Sequence, residues 1–296
     1  MKKPLFEGSG VAIITPFTDD GVDFDKLAEL CEFHIREKTD AIVVAGTTGE
    51  ASTMPDKEHL AAIRCVVETV GGRIPVIAGA GSNDTSHAVD LSVESERLGA
   101  DGLLQVSPYY NKTSQNGLFH HFKAIADAVS RPIIVYNVPS RTGMNINPET
   151  CQRLSELPNI SGIKECRIEQ APEVANLCGD NLFRYSGEDA MVLPILSLGG
   201  KGVISVMANI VPRYTHDMVR AYLDGNAAEA TRLQVFLVPL IKALFMDVNP
   251  IPVKAAMNLM GMNVGKCRMP LFDLSPEQLN KLEAVLRQYD LIGANK

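Results

Sequence analysis

A lysine closes the apolar stretch Ile160-Ser161-Gly162-Ile163-Lys164-Glu165. Lysine is disfavoured in strands and rarely buried. Where a strand leaves a core, its amine has the chemistry to condense with a carbonyl as a Schiff base. That reaction uses the neutral amine, so a reference pKa of about 10.4 must fall through burial or a nearby cation. Taken alone, the hexapeptide fits better a lysine reaching from a strand end into water. Other segments change that balance. Gly46-Thr47-Thr48-Gly49 offers two hydroxyls and turn N–H groups suited to a carboxylate. Tyr109-Tyr110 and Tyr136 bring phenols, and Arg141 stands in Pro139-Ser140-Arg141-Thr142-Gly143. Each is ordinary alone: a turn, a packed ring, a solvated charge. Together they make a carbon–carbon bond-forming site for two small acids. The amine attacks a ketone, a phenol and a hydroxyl move protons, the threonine turn holds one carboxylate, and Arg141 grips the other bidentately.

Such a set needs a scaffold that brings distant segments to one rim. Eight β-rich runs recur, at intervals of roughly 20 to 35 residues, the length of one βα unit. They are Val11-Ala12-Ile13-Ile14, Ala41-Ile42-Val43-Val44, Pro75-Val76-Ile77-Ala78 and Gly102-Leu103-Leu104-Gln105-Val106. Ile133-Ile134-Val135-Tyr136, the Lys164 stretch, Leu182-Phe183-Arg184-Tyr185 and Gly202-Val203-Ile204-Ser205-Val206 complete the set. Near-continuous apolar runs suit parallel strands covered on both faces. Between them, Leu118, Phe122, Ile125, Ala126 and Val129 keep helical spacing, as do Leu60, Ile63, Val67 and Val70. Thr53-Met54-Pro55-Asp56 has the form of a capped helix start with proline in its first turn.

Eight alternations predict an α/β fold, a (β/α)₈ TIM barrel, over residues 1–225. Residues 226–296 read as a C-terminal helical extension, broken at Asn249-Pro250-Ile251-Pro252 and with Ser275-Pro276 capping its last helix. In such barrels the strand C-termini build the site. The groups above end or follow strands, Ser186-Gly187-Glu188-Asp189 follows the seventh, and Ile204 lies in the eighth.

Composition narrows the classes. A net charge of −7 argues against a nucleic-acid partner. No apolar run of membrane-spanning length occurs. The start has no convincing signal-peptide form, so a cytoplasmic location is expected. Six cysteines without a C-x-x-C pair read as reduced core residues, with Cys166 two positions beyond Lys164. The six histidines show no metal-ligand spacing, and neither a G-x-G-x-x-G after the first strand nor a Walker A motif is present.

From about Phe6 to Leu291 the chain resembles the dihydrodipicolinate synthase family, also called 4-hydroxy-tetrahydrodipicolinate synthase. The resemblance rests on Gly46-Thr47-Thr48-Gly49-Glu50, Pro108-Tyr109-Tyr110-Asn111, Tyr136 to Gly143, Gly162-Ile163-Lys164-Glu165 and Gly202 to Val206, in order. It implies a lyase joining pyruvate to aspartate-4-semialdehyde on the way to diaminopimelate and lysine. Lys164 would carry pyruvate, and Tyr136 would give and take protons. Thr47 would link Tyr136 to Tyr110, supplied by a neighbouring subunit. Thr48 and Ile204 would hold pyruvate, Arg141 the semialdehyde carboxylate, and Gly187 would stand at the pocket wall. Neither metal nor organic cofactor is implied, and a homotetramer of two tight dimers is.

The chain departs from the pattern at Cys166-Arg167, where small residues are common, and at the positions that hold inhibitory lysine. Those positions match Ala51, Ser52, Asp56, His59, Asn83, His87 and Tyr109. Inhibited forms carry histidine at Asp56 and glutamate at His87, so weak or absent inhibition is expected. The alternatives are another pyruvate-dependent aldolase, of the N-acetylneuraminate or keto-deoxy-gluconate type, or a non-catalytic metabolite-binding barrel. Arg141 and the tyrosine pair favour the synthase over the first. The completeness of the chemical set favours it over the second.

Overall fold

The computed structural model of the chain describes residues 2–293. Strand β1 (Gly8–Ala12) is followed by a hairpin of β2 (Phe17–Thr18) and β3 (Gly21–Val22). Then come β4 (Ala41–Val44), β5 (Val76–Gly79), β6 (Gly102–Val106), β7 (Ile133–Asn137), β8 (Ile160–Glu165), β9 (Phe183–Ser186) and β10 (Gly202–Ser205). All but the hairpin close into a parallel barrel in the order β1-β10-β9-β8-β7-β6-β5-β4, with β4 pairing back to β1. The helices between them are α1 (Phe24–Arg36), α2 (Asp56–Val70), α3 (Thr85–Arg97), α4 (Gln115–Ala128), α5 (Pro139–Thr142) and α6 (Pro148–Ser155). They continue with α7 (Ala171–Cys178), α8 (Val192–Ser197) and α9 (Pro212–Leu223). The helical C-terminal part consists of α10 (Ala227–Leu244), α11 (Ile251–Leu259) and α12 (Pro276–Gln288). This is the (β/α)₈ barrel with a helical C-terminal part that the alternation predicts. No helix among the described residues is long and apolar enough to cross a membrane.

The apolar runs divide by alternation into two cores. Val43, Ile77, Leu104, Ile134 and Ile204 fill the barrel interior. Ile42, Val44, Val76, Leu103 and Val135 face the helical layer. Phe6 stacks on Tyr185 inside the interior cluster, ring centroids 4.5 Å apart, and the Tyr185 hydroxyl donates to the Phe6 carbonyl at 2.8 Å.

Three local expectations need correction. The first strand starts at Gly8, ahead of Val11. Gly8-Ser9-Gly10 looks like turn sequence, but at φ 131° Gly8 has no room for a Cβ, which would lie 2.1 Å from the Asp40 carboxylate. Helix α2 starts at Asp56 after Pro55, without a side-chain cap; Thr53 instead bonds back to the Glu50 carbonyl. Asp56 and Glu58 in the first turn favour that helix end electrostatically. The C-terminal part is not helical throughout: residues 260–275 run irregularly between α11 and α12.

That irregular stretch has a physical cause. The Lys254 ammonium is buried and donates to Glu50 Oε1 at 2.9 Å, the Thr15 carbonyl at 3.0 Å and the Lys266 carbonyl at 2.8 Å. The Arg268 N–H donates to the other Glu50 oxygen at 2.8 Å. Every N–H of the ammonium is matched, which a buried charge requires. A regular helix through 266–268 would use those backbone groups internally.

His34 on α1 is buried, with Nδ1 3.1 Å from the Thr39 hydroxyl. Burial depresses its imidazole from 6.5 to about 3. The fold therefore keeps it neutral, while the unfolded chain takes up a proton below about 6.5. Stability attached to this group is present above that pH and lost as pH falls, by up to about 1.4 kcal/mol per unit. His34→Asn is expected to narrow its stability deficit against the natural protein by about that slope between pH 6 and 4. Urea unfolding at several pH values measures the gap; a constant gap contradicts the assignment.

Candidate active site

Strands β7 and β8 place Tyr136 directly opposite Lys164 in the register. Both side chains point into the barrel near its C-terminal rim. The Lys164 ammonium lies 4.3 Å from the centre of the Tyr136 ring. Lys164 is only 5% exposed and Tyr136 6%. Burial lowers the amine's pKa, opposed by Cys166, Asp189 and Glu188 and assisted by Arg141. Burial also raises the Tyr136 phenol well above its ordinary value. The amine is thus shifted toward the form that attacks a carbonyl, and the phenol stays protonated until it has a base to donate to.

Gly187 stands against this lysine: a Cβ there would lie 3.2 Å from the Lys164 side chain and 2.4 Å from the Cys166 sulfur. Burial pushes the Cys166 thiol up to about 12, so it is a neutral wall group and not a second nucleophile. Ile204 closes the interior from β10. Nearby, Asp189 accepts the Val206 and Met207 N–H groups at 3.1 and 2.8 Å, fixing the turn that follows that strand.

Thr47 and Thr48 follow β4. Thr48 is buried and its hydroxyl accepts from Asn249 Nδ2 at 3.0 Å, leaving its own proton free for a ligand. The Asn249 carbonyl accepts from Arg141 Nη2 at 3.1 Å. Asn249 therefore ties the threonine turn to the arginine. Sequence reasoning read it only as part of a helix break.

One cavity of about 370 Å³ is lined by Thr47, Tyr136 and Arg141, and also by Ala51, Ser52, Asp56, His59, His87 and Tyr109. Asn83 is not among its lining residues; its carbonyl accepts from the Asn111 side chain at 2.9 Å. His87 Nε2 lies 3.0 Å from Asp56 Oδ1. His59 Nε2 donates to the Gly79 carbonyl at 2.7 Å. Tyr110 does not join the cavity. It is 90% exposed, with a left-handed backbone at φ 67°.

The dihydrodipicolinate synthetase family model matches residues 5–289. The chain belongs to that family. A 4-hydroxy-tetrahydrodipicolinate synthase of Acetivibrio thermocellus is 59% identical over 292 residues, spanning 99% of this chain and all of the relative. The crystal structure of dihydrodipicolinate synthase from Aquifex aeolicus superposes with a TM-score of 0.95 at 45% identity, covering 98% of this chain and all of that one. A lysine-bound dihydrodipicolinate synthase structure from Cyanidioschyzon merolae gives 0.94 at 40% identity, covering 98% and 100%. Within the dihydrodipicolinate synthetase family frame, one chain sets Lys164 beside Tyr136, and Tyr136, Thr47 and Arg141 share a cavity whose lining does not include Lys164, Thr48, Gly187 or Ile204; Tyr110 faces outward.

Proposed function

We propose that this chain is a lyase joining pyruvate to L-aspartate-4-semialdehyde, as a 4-hydroxy-tetrahydrodipicolinate synthase, in diaminopimelate and lysine biosynthesis. The neutral Lys164 amine adds to the pyruvate ketone. Tyr136 gives a proton to the departing oxygen, which leaves as water, and an imine remains. Loss of a methyl proton makes the enamine. Its carbon bonds to the aldehyde carbon of the second substrate, whose oxygen takes a proton. The substrate's amine then displaces Lys164 from the former ketone carbon and closes the ring. The covalent adduct on Lys164 serves as electron sink, so no metal or organic cofactor is needed. Thr48 and Ile204 hold the pyruvate carboxylate, and Arg141 holds the semialdehyde's. Thr47 passes protons between Tyr136 and a Tyr110 given by a second subunit, in a homotetramer built of two tight dimers.

The observation that carries this reading is the buried Lys164 nitrogen 4.3 Å from the centre of the Tyr136 ring. The experiment is intact mass after pyruvate and borohydride, followed by peptide mapping. One reduced pyruvate adduct on Lys164 is expected. No adduct, or one on another lysine, overturns the reading. Assaying pyruvate plus semialdehyde against cleavage of sialic acid separates the synthase from its sugar-acid counterparts.

At the cavity residues Ala51, Ser52, Asp56, His59, His87 and Tyr109, feedback by lysine is expected to be weak or absent. The nearest carboxylate, on Asp56, is engaged by His87 at 3.0 Å, and His59 is committed to a backbone carbonyl. A histidine, His87, stands where an inhibited form would offer a carboxylate to the ammonium, and it already occupies Asp56 Oδ1. Steady-state rates in sub-millimolar lysine test this, and clear inhibition there contradicts it.

A further inference from the structure

We propose that Glu165, on the outer face of β8, is a positioning residue that holds Lys164 against Tyr136; the inference rests on Lys164 being the Schiff-base amine. Neighbouring residues of a strand point to opposite faces. Lys164 and Tyr136 face inward, so Glu165 and Asn137 face outward directly behind them. The register pairs Tyr136 with Lys164 and Asn137 with Glu165. The outer pair is bonded: Asn137 Nδ2 donates to Glu165 Oε1 at 2.8 Å.

This bond lies where the ladder needs it. The β7–β8 register shifts between Ile133 and Ile134, so an irregularity precedes the reactive pair. Such an irregularity bends and twists its strand locally, and the regular pairing that resumes beyond it ends at Asn137 and Glu165, where the side-chain bond adds a further tie. A slip of one residue would turn Lys164 out of the barrel.

The Glu165 carboxylate is bonded on both oxygens. Oε1 also accepts the Arg167 N–H at 2.7 Å, and Oε2 accepts Gln170 Nε2 at 2.7 Å. Asn137 Oδ1 accepts the Ile146 N–H at 3.0 Å, and Gln170 Nε2 reaches the Ile146 carbonyl at 3.0 Å. The network thus links both strand ends to the segment before α6. Glu165 and Asn137 are both buried. Burial pushes the carboxyl up to about 7 in spite of its three donors. A group held there at that cost serves as an acceptor for those donors, and an amide in its place sets an N–H against one of the N–H groups that bond to it.

A simple structural clamp would lower stability when lost. A positioning residue would also slow chemistry in molecules that remain folded. The experiment is the rate at which pyruvate plus cyanoborohydride labels Lys164, read by intact mass on the full chain. It is run on the natural protein, Glu165→Gln, Asn137→Ser and Leu154→Ala. Leu154 is fully buried in the helical layer on α6, and its truncation is a packing loss that removes no hydrogen bond of the network.

Glu165→Gln and Asn137→Ser are each expected to slow labelling about tenfold or more, with kcat falling more than pyruvate KM rises. The double variant should be scarcely slower than either single one. Leu154→Ala should lower Tm and label at the natural rate. If the natural protein is not labelled, the Schiff-base reading falls. If it is labelled and the network variants match its rate, or Leu154→Ala is slowed equally, the positioning role falls and the Schiff-base reading stands. Asn137→Ser keeps the question open to refutation should Glu165→Gln not fold.

Discussion

With Lys164 replaced by alanine, turnover of pyruvate and semialdehyde is expected to fall on the order of 10⁴-fold or more. Among the described residues, Lys164 is the one lysine whose amine lies over the Tyr136 ring. Lys164→Arg is expected to be equally dead. A guanidinium keeps its proton above about pH 12 and so offers no lone pair. Loss of folding is separable from loss of chemistry here. Lys164 is buried with its pKa lowered by desolvation, so its charge costs stability. Lys164→Met, similar in shape and uncharged, should therefore match or exceed the natural protein's Tm while remaining inactive. Thermal unfolding and a coupled rate assay on the same preparation check both halves. An active Lys164→Ala protein would remove the basis of the proposed reaction.

Tyr136→Phe is expected to lower kcat by about 10²- to 10⁴-fold, the range for loss of a proton-transfer group. Its KM for pyruvate should change little. The ring would still lie beneath the Lys164 ammonium, preserving packing and the cation–π contact. What disappears is the acidic O–H whose pKa burial holds high. Without it the carbinolamine oxygen has no protein donor at the point of departure. Slow imine formation with near-normal pyruvate affinity is the expected signature in stopped-flow and equilibrium binding. An unchanged kcat would assign the proton transfer to another group.

Much of this was readable before any coordinates. Parallel strands covered on both faces leave continuous apolar runs, and eight of them with helical periods between determine the barrel. The proposed site residues Lys164, Tyr136, Thr47, Thr48 and Arg141 could be singled out because each lies in, ends or follows such a run by a few residues. What escaped notice depends on partners far along the chain. Asn249 meets Thr48 across 201 positions, and no local pattern announces that bond. The role of Glu165 needs the register of two strands, which sequence does not display. The first strand reads from Val11 and not from Gly8, whose constraint is the Asp40 side chain, a steric neighbour from another unit. Residues 260–275 read as helix because the signal that breaks them is a buried ammonium elsewhere needing a carbonyl.

The Lys254–Glu50 bond also says something about how this polypeptide is made. Glu50 immediately follows the threonine turn, yet its countercharge is synthesised some two hundred residues later. A ribosome that has released only the eight strands has produced a ring with an unmatched anion beside its reactive mouth. Breaking such a pair from one side costs about 3–5 kcal/mol. With the tail docked, Lys254 meets Glu50 and Asn249 meets Thr48, so the segment around the threonine turn receives its last partners from the final part of the polypeptide.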